Sequence, residues 1–314
     1  MRFWIPRQHG VWAMLIAPAL CGSVVGGFRW WDVVIIVAWV SAYLGFMAVR
    51  GWVRDVHRAV HVVSGMKTGL PRRDPTPPYS DRQWRSSVGG VPPRRARPRN
   101  PPLVRDGQSV VILPEAGSQG RKVSRYRTPA LVYFAVCVIC VCAVVVAYPG
   151  ALFWAVPLAA ILGVSWILIA SGHERSVGND ALLIASSCLI AVVAYTFGGV
   201  SGLSLGAFLH AVSVSRAWLI AIIWAGYLWG TIFYVKTMIR ERGKTGWYLV
   251  SVIYHAALIL PAFLVNPWIG AVSLITLFRA ALIPRIFPRA KPKYIGFGEV
   301  ALTVLLIFAI CLTT

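Results

Sequence analysis

Carboxylates are what this chain most conspicuously lacks. Asp and Glu number 10 in 314 residues against 31 Lys and Arg, giving a formal net charge of +21, and charged residues make up only 13%. Soluble domains carry about 25% charged and about 45–50% apolar residues, whereas 58% of this chain is hydrophobic. That pairing excludes an ordinary soluble enzyme, and the apolar content excludes a wholly disordered chain. Paired, ligand-spaced cysteines are also missing. Cys21, Cys137, Cys140, Cys142, Cys188 and Cys311 all lie in apolar stretches, which is not the pattern of a secreted disulfide scaffold. Cys137 and Cys140 form a CxxC, but within LVYFAVCVICVCAVVVAY a thiol behaves as a small buried hydrophobe. No His stands near it at zinc-ligand spacing, so no metal site is expected.

What the chain has instead is long apolar runs. A span needs about 20 mostly apolar residues, because the hydrocarbon core is about 30 Å thick and a helix rises about 1.5 Å per residue. Nine runs qualify, at residues 11 to 28, 32 to 49, 130 to 148, 151 to 170, 181 to 199, 217 to 235, 247 to 265, 268 to 284 and 298 to 313. The fold class expected is an all-α polytopic membrane protein. With the N-terminus in the cytoplasm, 29 of the 31 basic residues fall on the cytoplasmic side, leaving Arg29 and Arg216 outside, as the positive-inside rule requires. The C-terminus then lies outside. Arg2 and Arg7 before an apolar stretch with Ala17-Pro18-Ala19 also resemble a signal peptide; the proline argues for a retained helix.

Residues 67 to 128 stand apart from the two membrane portions, 1 to 66 and 129 to 314. They hold 10 of the 20 prolines with 14 basic and 4 acidic residues, and so carry +10 of the +21. A chain of that composition is expected to be a disordered cytoplasmic loop. Its natural partner is the anionic lipid surface, each Lys or Arg there being worth about 1 kcal/mol. PPRRARPRNPP is a basic run, but no folded nucleic-acid module surrounds it, and no nucleic acid is expected. Ser109 to Leu113 could pair as a strand, though alone it would not be stable.

Polar groups beside spans are costly in lipid and are therefore the candidates for function. Four constellations lie on the cytoplasmic side. In Pro6-Arg7-Gln8-His9-Gly10-Val11-Trp12, His9 offers a titratable ring at the membrane boundary, while Arg7 and Trp12 suit an interface anchor. Beyond the second span, Arg50, Arg54, His57 and His61 recur on one helical face, opposite Val49, Trp52, Val53, Val56, Val60 and Val63, and this basic stripe suits anionic headgroups. After the sixth span come Lys236, Arg240 and Arg242; Lys236 and Arg240 lie one turn apart, where like charges repel, so an anion should offset them. Glu174, in His173-Glu174-Arg175, could supply it, and Asn179 or Asp180 could cap the fifth helix. The seventh span carries Tyr248, Ser251 and His255 as a polar stripe, followed by Thr276, Arg279 and Glu299 on the last two. The site residues expected are His9, His255 and Glu174 for proton transfer, and Lys236, Arg240, Arg242, Arg54 and Arg279 for anion binding.

The residues Pro6-Arg7-Gln8-His9-Gly10 and Trp12-Ala13-Met14-Leu15, with Tyr234-Val235-Lys236-Thr237-Met238-Ile239-Arg240-Glu241-Arg242, resemble the bacterial YwiC-like membrane proteins. The resemblance covers about four-fifths of the chain and sets residues 67 to 128 apart as an insertion. It implies a multi-pass protein of the bacterial cell membrane and names neither a reaction nor a cofactor. Architecturally the nine helices are similar to UbiA-type prenyltransferases, whose Asp-rich magnesium motifs sit on helices two and six. Here those positions carry Arg50, Arg54, Asp55 and His57, then Lys236, Arg240 and Glu241, without the paired carboxylates that hold magnesium on a diphosphate. Three readings follow. The first is a cytoplasm-facing intramembrane site for a lipid-linked phosphate or similar amphipathic anion, in a transferase or lipid-handling protein. The others are a transporter, and a non-catalytic partner that recruits lipid or protein through its basic loop.

Overall fold

A computed structural model describes residues 9–67, 116–173 and 176–313, with side chains described over 11–53, 126–173 and 176–313. The helices are α1 (His9–Val25), α2 (Trp30–Lys67), α3 (Ala116–Ala147), α4 (Ala155–Ala170), α5 (Val177–Thr196), α6 (Leu205–Val212), α7 (Ser215–Val235), α8 (Thr245–Val265), α9 (Pro267–Ile286) and α10 (Pro292–Cys311). Among the described residues eight helices are long and apolar enough to cross a membrane, and α1 is a shorter apolar helix over Val11–Val25. The fold is an all-α polytopic membrane protein.

Some boundaries differ from those expected. Helix α3 already begins at Ala116, so the last residues of the stretch read as loop, 116 to 128, are helical. Arg and Lys at 121, 122, 125 and 127 favour a helix extended beyond the bilayer once an apolar run follows. The glycine-rich stretch after α5 also holds the short helix α6, capped by Ser204, whose Oγ accepts from Ala207 N at 3.4 Å. Ser109 to Leu113 lies outside the described residues.

Contacts divide the chain into two units, Met1–Val49 with Thr128–Thr314, and Arg50–Arg127. In the second, Gly51 lies against the Tyr126 ring, which a Cβ would approach to 2.6 Å, and the Arg127 guanidinium stands 5.8 Å from the Trp52 ring centre.

In the first unit α5 forms the centre, packed between α1 and α7, with α10 against α1. Its Ile190, Ala191 and Val192, with Phe197 just past its end, are buried together with Leu15, Cys21, Trp224 and Ile310. Close approach explains the α1–α5 seam. Gly22 and Gly26, four apart, present bare backbone to Ala191 and Tyr195, also four apart, and a Cβ at Gly26 would lie 2.6 Å from the Tyr195 carbonyl oxygen. Small residues at that spacing let helices pack through backbone contact, which in lipid replaces the missing hydrophobic drive. The outer helices show the reverse pattern. Leu131, Ile139 and Val146 on α3, Val156 and Ile167 on α4, and Ile253, Leu260 and Leu264 on α8 are exposed, the surface that a hydrocarbon solvent covers.

Successive long helices alternate in direction, and specific bonds fix which ends meet. At one end Gly150 N donates to Val200 O (3.2 Å) and Arg216 Nη2 to Thr313 O (3.3 Å). There Asp32 caps α2, its Oδ2 accepting from Arg29 N at 2.6 Å, the acidic half of a capping box. At the other end Arg242 Nη2 donates to Ala290 O (3.3 Å) and Tyr248 OH to Ala281 O (3.1 Å). This second end gathers Lys236–Lys244 and Arg279–Lys293, the basic stretches of the first unit.

Candidate functional site

A buried polar network joins α7, α8, α9 and α10 near the basic end. Arg279 lies 286 − 279 = 7 residues before the end of α9, and Glu299 lies 299 − 292 = 7 residues after the start of α10. The turn between those helices therefore brings them to the same depth, about 10 Å of helix inward. Arg279 Nη1 pairs with Glu299 Oε1, and the two side chains are 10% and 4% exposed, so this is a pair inside the protein. Buried charges persist only when paired and hydrogen-bonded, and here α7 supplies the further bonds. Thr231 Oγ1 donates to Glu299 Oε2 at 2.9 Å. Tyr227 OH donates to the Glu299 backbone carbonyl at 3.1 Å and shares a 3.1 Å bond with Thr303 Oγ1. The Arg279 guanidinium lies 4.2 Å from the Tyr234 ring centre, a cation–π contact. Tyr227, Thr231 and Tyr234 thus form one stripe at i, i+4 and i+7.

His255 enters from α8. Its Nδ1 stands 2.7 Å from the Ser251 carbonyl oxygen, and a carbonyl only accepts, so Nδ1 carries the proton. Nε2 is then an acceptor, 3.5 Å from Arg279 Nη2. Gly230 makes room for this ring, since a Cβ there would lie 2.8 Å from Nε2.

A second ion pair lies nearby in sequence but is separate in structure. After α7 the backbone widens over Lys236–Arg240 into a π-helical turn, with Glu241 N bonded to Lys236 O at 2.8 Å. Thr237 Oγ1 bonds Phe233 O (2.9 Å) and Trp247 O (3.1 Å), holding the turn. Such insertions re-aim side chains. Lys236 turns inward, 7% exposed, and its Nζ meets Asp180 Oδ2 at 2.8 Å beside the Trp247 ring, 5.4 Å away.

Two cavities flank the Arg279 network. One, of about 750 Å³, is lined by Tyr234, Arg279, Ile283, Ile286, Phe287, Pro288, Arg289, Ala290, Lys291, Tyr294, Ile295 and Gly298. It has apolar walls, a cation at its inner side and Arg289 and Lys291 at its rim, both exposed and neither with a carboxylate partner among the described residues. The other, about 110 Å³, runs deeper from Gly230, His255 and Thr276 toward Leu219 and Val265.

The expected residues scatter across this geometry. Arg279 and His255 come together, with Glu299 as the partner that residue spacing alone did not pair with them. Lys236 is paired with Asp180. Arg240 is exposed, so the two cations do not share one environment. Arg242 bonds backbone, Nε to Met238 O at 2.9 Å and Nη2 to Ala290 O. The cap of α5 is Ser176, whose Oγ accepts from Asn179 N at 3.1 Å; this leaves Asp180 free for Lys236, and Asn179 Oδ1 accepts from Ser165 Oγ at 2.8 Å. Glu174 and the side chains of His9, Arg54, His57 and His61 lie outside the described residues. Arg289 and Lys291, read in the sequence only as topology charges, line the larger cavity. Their signal was a basic hairpin, Arg285 to Lys293, containing no acidic residue. Among the described residues no three His, Cys, Asp or Glu side chains converge as metal ligands.

The family described as YwiC-like protein matches residues 5–70 and 110–195, a region that takes in α1 to α4 and nearly all of α5. The protein named "Uncharacterized protein YwiC" of Bacillus subtilis (strain 168) is 43% identical over 49 residues, 16% of this chain and 20% of the relative. The chain therefore spans about a fifth of that relative's length, and the network on α7–α10 lies beyond the family match. No solved structure matches. Just under half of the chain is thus similar to the YwiC-like family, and its apolar helical bundle is that of a multi-pass membrane protein.

Proposed function

We propose that this protein resides in the bacterial cell membrane with its basic end in the cytoplasm, and that the cavity between α7, α9 and α10 binds a lipid-linked phosphate. The observation that carries the reading is the make-up of that cavity. Ile283, Ile286, Phe287 and Ile295 offer apolar walls, while Arg289 and Lys291 stand at its mouth without a carboxylate partner among the described residues and Arg279 backs it. A ligand complementary to it has an anionic head and an apolar body. Phosphate accepts charge-assisted hydrogen bonds from Arg and Lys, and among the described residues the two rim cations have no internal anion to release first. Lys236, by contrast, is held by Asp180 and serves the α5–α7 contact. The positive-inside rule supports the orientation, since the rim then meets the cytoplasm.

The double variant Arg289→Gln/Lys291→Gln tests this. Removing two charge-assisted contacts is expected to weaken binding of a polyprenyl phosphate by about ten- to a hundredfold, measured by native mass spectrometry of the detergent-solubilised protein. Retention of the neutral polyprenol should be unaffected at that cavity. Wild-type affinity for the phosphate in the double variant would sink the reading.

A further inference from the structure

The walls of the larger cavity carry a definite charge balance. Its cations are Arg279, Arg289 and Lys291. Arg279 is paired with Glu299, so its charge is offset, while Arg289 and Lys291 have no carboxylate partner among the described residues. Two positive charges are left for a ligand to match. None of the lining residues is Asp, Glu, His or Cys, so nothing in the wall titrates between about pH 5 and pH 8. A neutral donor faces the same space. Tyr234 lines the cavity and is 3% exposed, and its ring is held against the Arg279 guanidinium at 4.2 Å. It packs in one cluster with Ala290, the residue between the two rim cations. The Tyr234 hydroxyl has no hydrogen-bond partner among the described residues and is not closed off from the cavity.

A phosphodiester carries one negative charge and leaves one rim cation unmatched. A phosphate monoester carries about two at neutral pH, on three terminal oxygens, and these accept from Arg289, Lys291 and Tyr234 together. A diphosphate exceeds the two cations, and the magnesium that commonly accompanies it needs oxygen ligands such as carboxylates, which these walls do not supply. Resting on the phosphate reading, we propose that the cavity is specific for the dianionic phosphate monoester of a long-chain lipid, with the Tyr234 O–H donating to a phosphate oxygen beside the two rim cations. A polyprenyl phosphate and a diacylglycerol phosphate share that chemistry. Tyr234 is then a binding residue, and the number of charges on the head, rather than its sign alone, decides what is held.

The test is native mass spectrometry of the full chain in detergent with two matched pairs, polyprenyl phosphate against its methyl diester and phosphatidic acid against phosphatidylglycerol. At about pH 7.5 the monoester of at least one pair is expected to bind about tenfold more tightly than its diester, the effect of one further charge-assisted contact; the pair that shows it identifies the chain. Lowering the pH to about 5 passes the second ionisation of the monoester, near 6. The monoester becomes a monoanion, so its advantage should vanish while diester binding holds. The groups facing the phosphate are Tyr234 on α7, Arg279 on α9, Arg289 and Lys291 between α9 and α10, and Tyr294 on α10. Behind Arg279 stand Glu299 and His255, and titration of either would move both members of a pair alike. Tyr234→Phe should weaken monoester binding by about tenfold; the wild-type comparison needs no variant, so misfolding of this one does not protect the idea. Equal binding within both pairs, or tighter binding of polyprenyl diphosphate, would overturn the monoester specificity. If Arg289→Gln/Lys291→Gln still weakened that binding, the phosphate reading would stand alone, and binding of none of these lipids would remove both.

Discussion

Glu299→Ala is expected to cost about 3–5 kcal/mol, the loss typical when one member of a buried ion pair is removed. The variant leaves Arg279, with its side chain 10% exposed, facing a site from which its counter-charge has gone. Thr231 and Tyr227 lose their acceptors on the Glu299 side chain or are shifted from its backbone, and the His255 contact at 3.5 Å offers a neutral ring in exchange. Reversible unfolding in mixed micelles measures the cost. The double variant Arg279→Met/Glu299→Leu should recover most of it, because replacing both charges by apolar groups of similar volume is close to neutral. A loss for Glu299→Ala within about 1 kcal/mol, the range of a surface pair, would mean that water reaches the pair freely. The recovered double variant would also separate stability from ligand binding, since it keeps the bundle but removes the cation at the back of the larger cavity.

Enlarging Gly22 should be the other severe change. A Cβ at this position overlaps the Ala191 carbonyl, and a backbone group cannot rotate aside as a side chain can. Gly22→Ala is expected to cost about 1–3 kcal/mol through overpacking, and Gly22→Val to separate α1 from α5 and prevent accumulation of folded protein. Gly163, in the middle of α4 with nothing within 4 Å of a Cβ, is the control; Gly163→Ala should be neutral or stabilising by up to about 1 kcal/mol. Thermal melting of the solubilised variants, with fluorescence-detected size exclusion, distinguishes these outcomes. If Gly22→Val matched the control, α1 and α5 would not be packed through that seam.

The two predictions also mark where residue patterns stop short of structure. Run length and the one-sided distribution of Lys and Arg are local properties, and they were enough to read a multi-pass helical protein and its nine apolar segments from composition. Pairing between helices is not local. Arg279 and Glu299 are visible as isolated charges at the ends of two spans, and only the hairpin between α9 and α10 puts them at one depth. Lys236 and Arg240 look like a matched pair on an ideal helix. The π-turn at Lys236–Arg240 breaks that spacing, sending Lys236 to Asp180 and leaving Arg240 exposed. The glycine pair Gly22 and Gly26 carries a readable small-residue spacing, but its partner, the backbone at Ala191 and Tyr195, has no side-chain signature to find. Arg289 and Lys291 were legible only as charge, because a cavity wall is made by three helices and no single one announces it.

The central claim, that a phosphate-bearing lipid is held at the α7, α9 and α10 cavity, is most directly tested by photocrosslinking. A polyprenyl phosphate carrying a diazirine beside the phosphate would be added to the protein in nanodiscs, irradiated, and the adducts mapped by peptide mass spectrometry. The account predicts labelling concentrated in residues 283 to 298, where Ile283 through Gly298 line the cavity. Labelling confined to residues 236 to 244, or to 50 to 127, would place the phosphate elsewhere and contradict it.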